Sequence, residues 1–364
     1  MSQLQQLVET LEAQEQIKKD FLAPSADMHF VDGNLYMLHA GQQVIFSPTT
    51  VFHGQVAEKL GIPKGYYDRM KEKALHLLDD NVNHWLHDEG KNLLIRTFVR
   101  EDGDNDARAF LSDRYNIIDN FDVLLQALES IKESGLEVNV SGAELSQTRM
   151  YLHITCPQIE VEATEMLKYY RRTIEVGSGI ISGFVLQNSE IGFGSFQVAP
   201  RAVVLACNNG MVNTRDAMRR VHLGGKLDEL DFYKNDAVKN ANRKLVKEQV
   251  KHAVQKFLSK DYLKNLVNTF TELGAKEIEA PIANVMEVVA KNYGFSQEEK
   301  ASLLDHFIRG GDTRRIGVIN AVTELAQTFD DADHRNDTEA ISYELLTSFN
   351  KIEAAAVKAD IKAN

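Results

Sequence analysis

The run Ile180-Ile181-Ser182-Gly183-Phe184-Val185-Leu186-Gln187 decides the fold class. It is rich in β-branched and aromatic side chains and lies between the turn formers Gly177-Ser178-Gly179 and Asn188-Ser189, so it predicts a strand. The same pattern recurs on both sides, in residues 137–140 and 150–155 before it and in 194–198 and 202–205 after it. Gly177, Gly179, Gly183, Gly192 and Gly194 crowd this stretch and mark turns, bulges or close backbone approaches. Farther upstream, residues 92–100 and 107–118 are β-like around a Gly103-Asp104-Asn105 turn, and residues 29–46 read as a hairpin broken at Asp32-Gly33-Asn34 and Gly41. Helical periodicity appears in residues 2–22, with Leu4, Leu7, Leu11 and Ile17 near one face, and in residues 121–133, with Val123, Leu124, Ala127, Leu128 and Ile131 as the stripe. Ser47-Pro48-Thr49-Thr50 supplies the capping hydroxyl and early proline of another helix, and residues 66–78 add one more.

From about residue 231 the strand signal fades. Helices are expected over 235–259, 260–273, 283–293, 297–307, 314–329 and 338–358. The reading is an α+β fold: a mainly antiparallel sheet body with packed helices, followed by an all-helical C-terminal region. The expected divisions are an N-terminal helix (1–24), the α+β body (25–230) and the helical region (231–364). No internal repeat is visible.

The chain has 364 residues and a formal charge of −12, with 43% hydrophobic and 26% charged residues. That balance belongs to an ordinary globular protein. No run of about eighteen apolar residues exists to span a membrane. The first twenty residues are rich in Gln and Glu and lack the apolar core of a secretory signal. Cys156 and Cys207 are the only cysteines, too few for a disulfide framework or a four-thiolate zinc site.

Chemistry-bearing motifs are sparse. Cys207-Asn208-Asn209-Gly210 follows an apolar strand, and a thiol nucleophile with His222 as base is one reading of it. A small buried cysteine beside an Asn-Gly turn is the plainer one. His84 and His87 have helical spacing but no second ligand pair, so they read as a surface helix end. The glycine pairs lack the following Lys-Ser/Thr of a phosphate loop. No metal or cofactor is expected. A further polar set comprises Asn83, Arg96, Arg108, Ser112-Asp113-Arg114-Tyr115 and Asn188-Ser189-Glu190. It reads either as a buried ion pair, Asp113 with Arg114, or as the lining of a ligand groove.

Basic residues carry more information. Between Arg201 and Lys264 there are fourteen cations and seven acids, so this window is +7 and the remainder of the chain −19. Lys239, Arg243, Lys247 and Lys251 lie four apart and read as one helical face, with Leu245, Val246, Val250, Val254 and Phe257 on another. Upstream, Lys168-Tyr169-Tyr170-Arg171-Arg172 sets two aromatics among three cations. Cations neutralise phosphates and aromatic faces stack on bases, a combination suited to single-stranded nucleic acid. The expected contacts are Arg171, Arg172, Arg215, Arg219, Arg220, Lys239, Arg243, Lys247 and Lys251 with phosphates, and Tyr169 and Tyr170 with bases.

Residues 92–119, with N-L-L-I-R-T-F-V-R and R-A-F-L-S-D-R-Y-N-I-I-D, resemble the phage/plasmid-like family called domain of unknown function 932. So do Asn188-Ser189-Glu190-Ile191-Gly192, Cys207 to Val212, Arg219 to Gly224 and, near the end, Thr313 to Thr323. The resemblance covers roughly residues 45–345 and implies a phage- or plasmid-encoded protein acting in the bacterial cytoplasm. It assigns no activity. The expected function is therefore nucleic-acid binding by a homo-oligomer, as in single-strand binding or annealing. The alternatives are an interaction protein that modulates a host defence or DNA-processing enzyme, and a Cys207/His222 enzyme on nucleotides or nucleic acid.

Overall fold

The computed structural model describes residues 2–39, 41–171, 177–206, 209–220, 222 and 236–363. Two six-stranded sheets organise it, and the C-terminal third is helical, so the fold is the expected α+β body with a helical region behind it.

The first helix, α1 (Gln3–Ile17), is capped by the Ser2 side chain, which accepts from the Gln5 N–H. It ends earlier than its periodicity predicts. Residues 18–24 instead form strand β1 (Lys18–Pro24), paired antiparallel along β5 (Asn92–Phe98). The alternation of Phe21 and Ala23 against Asp20 and Leu22 marks two sheet faces, a period-two signal hidden behind a long helical run. The expected hairpin is a three-stranded meander of β2 (Met28–Val31), β3 (Asn34–His39) and β4 (Gln42–Pro48), because both of its glycine breaks are turns with φ near +75°. Strand β6 (Asp106–Ser112) completes the first sheet, in the order β1-β5-β6-β4-β3-β2, with β4 and β6 its one parallel pair. Helices α2 (Thr50–Lys59), α3 (Lys64–Lys73) and α4 (Leu75–Glu89) cover one face over a core that includes Phe30, Phe46, Phe52 and Phe110.

Helix α5 (Asn120–Ser134) leads into the second sheet: β7 (Asn139–Leu145), β8 (Met150–Glu162), then the short α6 (Thr164–Leu167), β9 (Gly179–Asn188) and β10 (Phe196–Val204). The two strands expected around Pro200 are one. Pro200 has no N–H, yet the strand tolerates it because β11 (Asn209–Val212) and β12 (Met218–Arg220) pair with β10 on either side of it. Met150, Leu152, Ile154, Phe184, Leu186, Phe196 and Val198 alternate onto one face, beneath α1, α5 and α7 (Asp236–Phe257).

The remaining helices are α8 (Lys260–Gly274), α9 (Ile282–Tyr293), α10 (Gln297–Gly310), α11 (Arg315–Ala326) and α12 (Ala332–Ala363). Their core takes in Ile180, Ala202, Val204 and Met211 from the second sheet. Val246, Val250 and Phe257 of α7 likewise belong to the core of the body. The helical region thus shares its interior with the sheet. Among the described residues, no helix is long and apolar enough to cross a membrane.

Candidate functional site

The two sheets meet at a buried ion cluster. Arg96 on β5 is fully buried (0% exposed). Its guanidinium donates to both carboxylate oxygens of Asp20 at 3.0 Å, to Asp119 at 2.6 Å and to the Glu190 carbonyl at 2.9 Å. Lys18, at the junction of α1 and β1, donates to Glu15, to Glu190 at 2.9 Å and to Asp119 at 3.4 Å. Glu190 also accepts from Arg108 at 3.0 Å and from the Asn120 N–H at the start of α5 at 2.8 Å. Burial pushes the Glu190 carboxyl up, but Lys18, Arg96 and Arg108 outweigh it and hold the group below the ordinary carboxylate range. Burial raises Glu15, and Lys18 offsets that only in part.

Glu15, Asp119 and Glu190 have the geometry of a three-carboxylate metal site. The Lys18 ammonium lies within hydrogen-bonding reach of all three. The donor set is therefore spent on an internal cation. Beside the cluster opens a cavity of about 400 Å³ whose lining includes Thr49, Phe98, Arg108, Thr148, Arg149 and Glu190. The Arg108 guanidinium lies 3.9 Å from the centre of the Phe98 ring.

Most of the predicted polar set converges here. Arg96, Arg108 and Glu190 are cluster members, Tyr115 donates to the Ser189 carbonyl, and Asn188 donates to the Ile118 carbonyl and to Asn120. Asn83 does not join them; it pairs with the backbone of Phe30. Asp113 and Arg114 form no ion pair with each other. Lys18, Asp20 and Asp119 were missed in the sequence. Lys18 and Asp20 lie on a strand that reads as the end of a helix, where charges look solvated, and only the pairing of β1 with β5 turns them inward; Asp119 stands just before α5.

The expected nucleic-acid contacts do not form one row. Tyr169 is 53% exposed, and its ring lies 4.7 Å from the Arg314 guanidinium carbon and 5.6 Å from the Lys168 ammonium. Tyr170 is a correction: it is 1% exposed, its hydroxyl donates to Glu324, and its ring packs in the helical core, so it has no face to offer a base. Arg171 is exposed. Arg172 lies outside the described residues. Arg220 lies in β12 and Lys239 in α7. The helical ridge is partly neutralised from within, because Arg243 pairs with Asp122 at 2.9 Å and Lys247 with Glu129 and Glu133 at 3.1 and 2.8 Å, all on α5. Lys251 is exposed and, among the described residues, has no ion-pair partner.

A second group of cations gathers where α7, α8 and β12 meet. Arg215 lies 5.7 Å from the Tyr343 ring, and Lys256 lies 5.5 and 6.0 Å from the rings of Phe257 and Tyr262. The Tyr262 hydroxyl donates to Asp216 at 2.7 Å, and His252 meets the Met218 sulfur at 3.3 Å. These contacts tie Arg215, His252, Lys256, Tyr262 and Tyr343 into one surface, and Arg219 is a further exposed cation on β12. Among the described residues, Arg215, Arg219 and Lys256 form no ion pair.

His222 does not serve as a surface base. It is buried, stacked 5.0 Å from Tyr115 at 5°, with Nδ1 3.0 Å from the Asn116 carbonyl. Cys207 lies outside the described residues. Cys156 is buried, which pushes its thiol up. His84 and His87 are exposed on α4.

No known family model matches this chain, and no curated protein or solved structure matches it.

Proposed function

We propose that this protein binds single-stranded nucleic acid through the surface around β12, the α7–α8 junction and Tyr343, as the product of a phage or plasmid in a bacterial cell. The carrying observation is that Arg215, Arg219 and Lys256 are exposed and lack carboxylate partners among the described residues, and that Arg215 and Lys256 sit beside aromatic rings. Exposed cations of this kind release counterions when a phosphate approaches, and rings beside them accept a base face. Lys251, five residues before Lys256 on α7, adds a further exposed cation, and Tyr169 with Arg171 supplies a second patch. Phosphate contact and stacking leave base edges accessible, which is what an annealing factor needs. The acidic remainder of the chain restrains nonspecific adhesion, and binding by several copies along one strand would add cooperativity.

A fluorescence-anisotropy titration of a labelled oligothymidylate against salt tests this reading. Engagement of Arg215, Arg219, Lys251 and Lys256 gives a log–log slope of about −3, at roughly −0.7 per phosphate neutralised on a single strand. A flat dependence, or no binding at low salt, refutes it.

A further inference from the structure

The face of the second sheet opposite Met150, Leu152 and Ile154 holds a separate cavity of about 590 Å³, lined among others by Glu144, His153, Ile181, Arg201, Val203 and Arg335. Two glycines lie against its lining groups. A Cβ on Gly142 would come 3.1 Å from the His153 ring, and one on Gly210 would come 1.7 Å from the Arg201 Nε, so both planar groups lie down against bare backbone. The two arginines and Gln327 at the cavity are already engaged. Arg201 gives two hydrogen bonds to Glu339 at 2.7 and 3.1 Å, Gln327 gives one to the same carboxylate at 2.5 Å, and Arg335 donates to Glu144.

The acceptors are not all engaged. Glu144 Oε2 and His153 Nδ1 are buried atoms with no hydrogen-bond partner among the described residues, and His153 as a whole is 8% exposed. The proton position on His153 follows from its neighbour. The Asn336 amide nitrogen is committed to the Ala332 carbonyl at 2.8 Å, and the Asn336 side chain favours the protonated ring, so it accepts from Nε2–H. Burial, aided by Arg201 and Arg335, holds the imidazole well below the ordinary histidine range, so the ring is neutral and Nδ1 is a bare acceptor. Glu144 pairs across the sheet with Tyr151, and His153 lies two residues further along the same face. The two acceptors are therefore diagonal neighbours, within reach of one small molecule.

We propose that this cavity is a binding site for a neutral heterocycle carrying N–H donors, namely a nucleobase. Two unmatched acceptors select donors. The paired cations Arg201 and Arg335 disfavour a positively charged ligand. Ile181, Val203 and Leu205 at the same cavity supply an apolar wall for a ring face. The choice of a base among N–H donors rests on the nucleic-acid reading above. The source is either a free nucleoside or a base presented by a strand.

Isothermal titration of the full chain with each of the four deoxynucleosides, alongside a base-containing and an abasic oligonucleotide of equal length, tests the site. At least one nucleoside is expected to bind, and His153→Phe and Glu144→Gln are each expected to weaken it roughly ten-fold, with circular dichroism checking that both variants fold. If His153→Phe does not fold, Glu144→Gln alone decides. Tighter binding of the base-containing strand than of the abasic one, lost in the same variants, identifies the strand as the source. Nucleoside binding without binding of either strand keeps the site and removes the nucleic-acid reading. Salt-dependent strand binding with no nucleoside binding removes the site and keeps that reading. Nucleoside binding unchanged in the folded variants also overturns the proposal.

Discussion

Replacing Arg96 with Met should strike the molecule at its least forgiving point. The side chain is fully buried and makes four hydrogen bonds, to Asp20, Asp119 and the Glu190 carbonyl. Methionine fills much of the volume but leaves Asp20 without its cation. Removing one partner of a buried ion pair costs about 3–5 kcal/mol. In a chain of this size each kcal/mol lowers the melting temperature by about 2 °C, so calorimetry should show a fall of roughly 6–10 °C. Asp20→Asn alone should also destabilise, and in the double variant the two effects should overlap by at least about 1 kcal/mol, because the second change removes a charge already stranded. The pH dependence has a definite sign. The Glu190 carboxyl is held below its ordinary value of 4.5, so it contributes stability above that pH and loses the contribution as pH falls below it. Glu15, raised by burial, works in the opposite sense, its ionisation costing stability as pH rises through its shifted value. The two should partly cancel, and Glu190→Gln should remove the acid-side loss. An Arg96→Met protein within about 1 kcal/mol of the parent, or additive effects in the cycle, would refute the view that this cluster holds the sheets together.

Three further changes probe other places. Gly210→Ala puts a Cβ 1.7 Å from the Arg201 Nε and should break the Arg201–Glu339 pair, destabilising by about 3 kcal/mol or more in a urea titration; an unchanged midpoint would show that the guanidinium moves without cost. Lys251→Ala should reduce the salt slope of oligonucleotide binding by about 0.7, whereas Lys247→Ala should change it less, because Lys247 already serves Glu129 and Glu133; equal effects would mean that nucleic acid displaces the α5 carboxylates. Cys156 should resist alkylation at pH 8 in the native protein and react once urea unfolds it, as mass spectrometry of the labelled peptide would show.

The strand-rich middle and the helical end were legible because their periodicities run long enough to outvote chance. Residues 180–187 and the stripe of α5 are such cases. The failures share a cause, which is that local pattern cannot report a distant partner. β1 reads as helix until β5 claims it. β11 and β12 are strands of four and three residues that exist because β10 offers them an edge. Tyr170 reads as a partner for bases because it follows an exposed tyrosine between cations, yet Glu324, 154 residues away, takes its hydroxyl. The convergence of Arg96, Arg108 and Glu190 was half visible as a polar set near strands. The ammonium that completes it was not, since Lys18 lies in a segment whose spacing predicts a solvated helix.

Residues 3–24 have a consequence for how the chain reaches this state. Their helix lies on β7 and α5, against the second sheet, and their strand closes the edge of the first. This segment leaves the ribosome before either of its docking surfaces exists. It must stay unattached while some seventy residues are made before β5 offers an edge, and longer still before β7 appears. Lys18 then enters its carboxylate cage only once Asp119 and Glu190 have both arrived. A segment made before both of its docking surfaces is thus among the last to settle, a clasp drawn shut over two halves that formed after it.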